Sequence, residues 1–429
     1  MKYSEMKKED LLSIKEDLLK KYDEVKGLNL SLDMSRGKPG HDQLELSYDV
    51  LKVFNGGDTC ISDSGIDCRN YGVLDGITAC KELFAEMLGA KPNMVMVGGN
   101  SSLNMMFDTI SCMMTAPIEE GCKPWYEVKN RKFLCPVPGY DRHFGITEYF
   151  GFEMINIPMY EDGPDMDIVE QLVSEDDSIK GIWCVPKYSN PQGVTYSDEV
   201  VRRFANLKPK AKDFRIMWDN AYCVHDIGDN PETLLNIFDE CEKSGNPDLP
   251  ICFCSTSKIT FPGSGVAAMA SSVKNMNVFK ERYKWQTIGY DKLNMLRHIH
   301  FFKDMNGIME HMKKHSEILQ PRFQTVINKL NEQLIDTGIA QWTEPNGGYF
   351  VSVNVMNGTA KKVVQMCKEA GVVMTGAGAT YPYGIDPDDS NIRIAPSYPP
   401  LDELSVAMDI FCVCAKIAAI DKLISQTNA

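Results

Sequence analysis

The sequence predicts an α/β fold in which a large, mostly parallel sheet domain is joined to a smaller α+β unit. Between residues 55 and 284, short apolar runs alternate with helical stretches, the pattern of parallel strands linked by helices. Each of those runs leads straight into a short motif rich in Gly, Asn, Asp or Ser. At 429 residues the chain is long enough for two domains and a large core.

The elements follow in order. Leu11, Leu12, Ile14, Leu18, Leu19, Tyr22 and Val25 recur near helical spacing within a charged segment and predict an amphipathic N-terminal helix. Leu32-Asp33-Met34-Ser35-Arg36-Gly37-Lys38-Pro39-Gly40 reads as a loop. Strands are expected at 94–97, 133–135, 181–185, 214–218 and 251–254. After Gly289 a helical region extends to about Asp336. A strand at 348–353, a helix at 359–370, a strand at 391–395 and a closing helix from Leu401 complete the smaller unit. The apolar stretch 404–420 is broken by Asp409 and Lys416, so it is expected to be a packed helix and not a membrane span. The expected division is an N-terminal arm and part of the small domain over 1–50, a large domain over 51–300, and a small C-terminal domain over 301–429.

Composition narrows the partners. Hydrophobic content of 43% and charged content of 24% are those of a soluble globular chain. A net charge of -14 argues against nucleic acid or an anionic membrane as the main partner. An anionic substrate then needs arginines placed locally. The 14 cysteines are scattered, without metal-ligand spacing, and the close pairs Cys252/Cys254 and Cys412/Cys414 lie in apolar runs. They are expected to be buried and reduced, which points to the cytoplasm and to no metal. Residues 1–10 are charged and lack the apolar stretch of a secretory signal.

Four motifs carry chemistry: Gly98-Gly99-Asn100-Ser101-Ser102, Asn190-Pro191-Gln192-Gly193, Asp219-Asn220-Ala221-Tyr222 and Ser255-Thr256-Ser257-Lys258. One chemistry needs all four, pyridoxal 5'-phosphate (PLP) held as a Schiff base. Lys258 supplies an amine that burial can deprotonate. Asp219, at a strand end, suits a charge-assisted bond to the pyridine nitrogen, and as a helix N-cap it would serve structure alone. Tyr222 and Asn190 suit the ring oxygen. Gly98 to Ser102 join a strand to a helix, where backbone N–H groups and hydroxyls cradle phosphate. Tyr140 has a ring that can stack on a cofactor face. Arg393, between Ile392 and Ile394, calls for an anion, either a substrate carboxylate or an internal acid.

With these residues in view, the chain resembles the fold-type I PLP-dependent class I aminotransferases, and most closely the MocR-like, or subgroup Ic, aspartate aminotransferases. Asn70-Tyr71-Gly72, Pro138-Gly139-Tyr140-Asp141-Arg142-His143, Tyr188-Ser189-Asn190-Pro191, Gly347-Gly348-Tyr349-Phe350 and Asn391-Ile392-Arg393 carry the resemblance. It implies Lys258, Asp219 and Tyr222 as catalytic residues, with Lys258 forming an aldimine. Asn100, Ser101, Ser102, Ser255 and Ser257 would line the phosphate site, Asn190 would bind the ring oxygen, and Tyr140 would stack. Arg393 and Asn190 would take the substrate α-carboxylate, Gly37 would close over it, and Arg36 is the first choice for a side-chain carboxylate, ahead of Arg142 and of Arg297 of the partner subunit. The resemblance also implies a homodimer, with Tyr71 reaching the neighbouring subunit. Gly265 stands where the wider class has a phosphate-binding arginine, which leaves Lys292 and Arg297 as candidate replacements.

The expected reaction moves an amino group from an amino acid, aspartate first, to a 2-oxo acid such as 2-oxoglutarate. A PLP lyase or decarboxylase on the same fold is the alternative. An aminotransferase-like regulator would need a DNA-binding segment ahead of Ser35, where one amphipathic helix is expected.

Overall fold

The computed structural model describes residues 2–54 and 59–426. Asn55, near the expected start of the sheet region, lies outside them. An eight-stranded sheet forms the centre, in the spatial order Val95–Val97, Ala267–Ser271, Pro250–Ser255, Arg215–Asp219, Ile179–Cys184, Lys132–Val137, Glu153–Tyr160, Gly163–Pro164. The pairings from Pro250–Ser255 through Glu153–Tyr160 are all parallel. Ala267–Ser271 runs antiparallel to both its neighbours.

The five expected strands are present because their side chains are buried on both faces. Along Arg215–Asp219, Met217 joins one core and Trp218 the other. Helices Thr78–Leu88, Met166–Glu175 and Asp198–Ala205 cover the Trp218 face, and Ser102–Thr115, Asp141–Tyr149 and Val273–Tyr283 cover the opposite one. Three of the eight strands are absent from the expectation, one of them the two-residue edge strand Gly163–Pro164. Glu153–Tyr160 lies toward the sheet edge, alternates with exposed positions and contains Pro158. Ala267–Ser271 is mostly alanine and serine, of weak strand preference, and is ordered by the strands on either side.

A separate core gathers around helices Lys8–Lys26, Ala360–Glu369 and Leu401–Gln426. They pack on the antiparallel sheet Ala340–Trp342, Val351–Val355, Asn391–Ile394. The expected loop at 32–40 is corrected at its start: Leu32–Met34 is a strand, paired in parallel with Val372–Met374. Its partner lies too far along the chain for local pattern to reveal. The expected strand at 348–353 begins later, at Val351, because Gly348 occupies a turn at φ +81°.

The helical region after Gly289 divides into Lys292–Phe302 and the 30-residue helix Met305–Leu334. Ile308 and Met312 of the long helix join the core on the Trp218 face, whereas Leu319, Phe323, Val326 and Leu330 join the core of the smaller unit. Ten of the 14 cysteines are buried. No helix among the described residues is long and apolar enough to cross a membrane.

Candidate active site

A cavity of about 540 Å³ opens where the carboxyl ends of the sheet strands meet the smaller unit. That is where open α/β sheets gather ligands. Ser101, Ser102, Tyr140, Asn190, Asp219, Tyr222, Ser255, Ser257 and Lys258 line it from the sheet side, and Arg36, Gly37, Phe350, Thr375 and Arg393 line the other side.

Lys258 leaves the strand Pro250–Ser255 on a tight turn held by Thr256 N–H to Val266 O (2.8 Å) and Thr260 N–H to Thr256 O (2.8 Å). Its amine stands 4.9 Å from the centre of the Tyr222 ring and has no hydrogen-bond partner among the described residues. Burial lowers its pKa, the positive charge of Arg393 adds to this, and Asp219 opposes it. An amine so placed gives up its proton more readily than a surface lysine does.

Asp219 is the last residue of its strand and is buried. His143 Nε2 lies 2.9 Å from Asp219 Oδ2, while Oδ1 is buried without a partner. The imidazole is stacked on Trp183 at 4.3 Å and 6°. Thr147 locks the pair, accepting from Trp183 Nε1 at 2.8 Å and donating to His143 O at 2.7 Å. Burial pushes the Tyr140 hydroxyl up to about 12 and raises that of Tyr222 well above its ordinary value, so both stay protonated.

At one end of the cavity, Ser101 caps helix Ser102–Thr115 by accepting from Leu103 N–H at 3.2 Å. Ser255 Oγ donates to Ser257 Oγ at 3.0 Å, and Ser257 Oγ donates to Asn100 O at 3.3 Å. Asn100 itself does not line the cavity, because its amide donates to Gly263 O at 3.3 Å. A side chain at Gly265 would press on Thr256 Oγ1 at 3.0 Å and Ser257 N at 3.3 Å. Neither Lys292 nor Arg297 lines the cavity of its own chain. Lys292 donates to Gly72 O at 2.9 Å, and Arg297 donates to Ser264 Oγ at 3.0 Å and to Asn294 Oδ1. Tyr71 is also outside it. This tyrosine is 83% exposed and, with Arg69, Asn70, Tyr290 and Lys292, lines a surface cavity of about 500 Å³.

At the other end, Arg393 Nη1 donates to Asp141 Oδ1 at 3.0 Å and to Asn190 Oδ1 at 3.2 Å. Its Nη2 makes one long bond to Thr375 Oγ1, 3.4 Å, and its Nε is buried without a partner. The internal acid expected as an alternative to substrate is therefore present, yet it occupies only one arm of the guanidinium. The guanidinium lies 4.7 Å from the centre of the Phe350 ring. Gly37 packs on that ring so closely that a Cβ would fall 2.4 Å from Phe350 Cζ.

Arg36, Lys38, Arg142, Lys258 and Arg393 line the cavity against the carboxylates of Asp141 and Asp219, so it is cationic although the chain is strongly acidic. Arg36 and Arg142 are exposed and form no ion pair among the described residues.

Sequence reasoning passed over His143, Trp183, Phe350 and Thr375 as site residues. His143 lies three residues after Tyr140, on the first turn of helix Asp141–Tyr149, but its partner Asp219 is 76 residues away. Only the meeting of two strand ends brings them together.

The arrangement fits PLP on its own terms. It offers an unpaired, easily deprotonated amine, a buried carboxylate oxygen without a partner, unbonded phenolic groups, and a serine-capped helix N-terminus for an anion. The family model for aspartate amino-transferase matches residues 6–427. An aspartate aminotransferase of Corynebacterium glutamicum is 45% identical over 404 residues, spanning 94% of this chain and 93% of that protein. The crystal structure of an aspartate transaminase from Corynebacterium glutamicum matches with a TM-score of 0.96 at 43% identity, covering 99% of each chain. An α-aminoadipate aminotransferase from Thermus thermophilus, solved with N-(5'-phosphopyridoxyl)-L-leucine, shares the fold at a TM-score of 0.71 and 17% identity, over 92% of this chain and 93% of that one. The chain belongs to the aspartate amino-transferase family and is a PLP-dependent aminotransferase of fold type I.

Proposed function

We propose that this aminotransferase takes aspartate as amino donor and 2-oxoglutarate as acceptor, with Lys258 as the reactive amine. The observation that carries the substrate reading is the cationic cavity: Arg393 offers a partly free guanidinium, and Arg36 and Arg142 stand unpaired at the same opening. A dicarboxylic acid needs one such group for each carboxylate. The similarity to aspartate aminotransferases supports the same substrate.

When bound, PLP supplies an electrophilic carbon for amines and draws electrons from the substrate Cα as its proton leaves. The protein's own residues divide the remaining work. Lys258 carries the proton away from Cα and returns it on the far side of the transfer. Asp219, oriented by His143, holds a positive charge at the pyridine nitrogen through its free oxygen. Tyr222 and Asn190 bind the ring oxygen, and Tyr140 lies against the ring. Ser101, Ser102, Ser255 and Ser257 would meet the phosphate. Arg393 fixes the α-carboxylate, Gly37 lets the N-terminal segment lie close over it, and Arg36 takes the distal carboxylate.

We also propose a homodimer whose second subunit completes each site through Tyr71. Tyr71, Trp285 and Ile288 are exposed at 83%, 84% and 63%, which supports a covered face there. The shared motifs and Gly265 support the MocR-like subgroup, and the buried free cysteines support a cytoplasmic setting. The separate cores support a large domain over 51–300 and a small one built from 1–50 and 301–429.

The direct test follows oxaloacetate released from aspartate and 2-oxoglutarate by the PLP-loaded enzyme, with alanine as a comparison donor. Carbon dioxide or ammonia as the main product would favour the lyase or decarboxylase reading. In Lys258→Ala the visible absorption and the borohydride-reducible link should both disappear; a link that persists would mean that another lysine is reactive.

A further inference from the structure

Three buried histidines on two helices surround the turn that presents Lys258, and none of them lines the cavity. His298, on helix Lys292–Phe302, sets Nδ1 2.8 Å from Asn294 O. A carbonyl oxygen can only accept, so Nδ1 carries the hydrogen and Nε2 is an acceptor. Nε2 lies 2.9 Å from Thr260 Oγ1, whose hydroxyl supplies the hydrogen, and 3.3 Å from Thr256 Oγ1.

His311 and His315 stand one turn apart on the long helix. Their Nε2 atoms lie 2.8 and 3.0 Å from Ile259 O, so both donate to the carbonyl next to Lys258. His315 Nδ1 accepts from Gln43 Nε2 at 3.0 Å. The same amide nitrogen donates to the Tyr349 hydroxyl at 2.9 Å, and that hydroxyl donates to Lys258 O at 3.4 Å. Burial lowers all three imidazoles, His298 and His315 to about 4, so they are neutral at pH 7 and these directions persist.

A lysine that releases and recaptures a reacting carbon needs a mobile amine on a stationary backbone. Here the carbonyls of Lys258 and Ile259 and the hydroxyls of Thr256 and Thr260 are each tied to another element. We propose that His298, His311 and His315 are positioning residues for Lys258, acting through the peptide carbonyls and threonine hydroxyls of its turn. This rests on Lys258 being the reactive amine.

The test uses His298→Gln, His315→Gln and the milder Thr260→Val, which removes one hydroxyl that bonds His298. The visible band of each holoenzyme is titrated with pH, because its midpoint reports the proton affinity of the link at Lys258. The expected result is a midpoint moved by roughly half a unit or more, with kcat lower on the order of tenfold and KM within about twofold, as for a reacting group held slightly out of place. In the cofactor-free protein, amide hydrogen exchange across 256–260 should be faster than in the parent. A wild-type midpoint and kcat in Thr260→Val and in every histidine variant that folds would overturn the proposal and leave the histidines as core packing. A parent protein with no borohydride-reducible link at Lys258 would instead overturn the assignment of the lysine, and that is seen before any variant is made.

Discussion

His143 Nε2 lies 2.9 Å from one oxygen of Asp219, and the other oxygen of that carboxylate is buried and unpaired. The carboxylate is thereby aimed: one oxygen is held by the imidazole and the other is left without a partner among the described residues. Asp219→Asn should keep the fold and lose about 3 kcal/mol of transition-state stabilisation, on the order of a hundredfold in kcat, because an amide cannot hold a pyridine nitrogen protonated. His143→Gln should cost less, since the carboxylate survives and only its orientation relaxes. Wild-type kcat in Asp219→Asn would refute the role.

The contact between Gly37 and Phe350 makes a second prediction. A methyl group at residue 37 would meet Phe350 Cζ at 2.4 Å, so the ring or the loop must shift. Overpacking of this kind costs about 1–3 kcal/mol. The ring also lies under Arg393, so Gly37→Ala should raise KM for amino donors more than it lowers kcat. A variant with unaltered KM would mean that the loop yields freely.

Arg36→Ala should discriminate between substrates. A selective drop in kcat/KM for aspartate relative to alanine, about tenfold or more for a lost charge-assisted contact, is the expected outcome. An equal effect on both donors would remove Arg36 from the specificity pocket and leave Arg142 to be tested in the same way.

Mixing two inactive proteins tests the shared site. Lys258→Ala retains Tyr71, and Tyr71→Ala retains Lys258. Hybrid dimers with one of each contain one complete site, so activity should return on mixing and subunit exchange. If no activity appears although hybrids are detected by mass, Tyr71 serves its own subunit.

Acid should weaken the fold through the histidines behind the lysine turn. Unfolded, each titrates near 6.5; folded, His298 and His315 titrate at about 4. Between those values the unfolded chain binds more protons, so the stability carried by the neutral rings is full above pH 6.5 and is lost as pH falls toward 4. Each ring can contribute up to about 1.4 kcal/mol per pH unit in that window. Urea unfolding at pH 7 and pH 5 should show the loss, and the difference should shrink in His298→Gln.

Much of the sheet and most of the cavity were legible in the sequence because both depend on local pattern. Strands such as Arg215–Asp219 and Pro250–Ser255 are short apolar runs, and these two end at residues that enter the cavity. What escaped depends on distant pairing. Leu32–Met34 becomes a strand only beside Val372–Met374, and Ala267–Ser271 only between two other strands. Asp141 could not be identified as the partner of Arg393, because 252 residues separate them. Asn100, by contrast, sits at the expected junction yet turns its amide toward Gly263.

The helix Met305–Leu334 contains Pro321, which has no backbone N–H to offer the carbonyl of Glu317. The helical ladder lacks one bond there, and what each half touches differs. His311 and His315 sit ahead of this joint, seated on Ile259, while Phe323, Val326 and Leu330 lie beyond it in the core that carries the strand of Arg393. One continuous helix therefore joins the seat of the lysine turn to the core behind the arginine that faces the cavity.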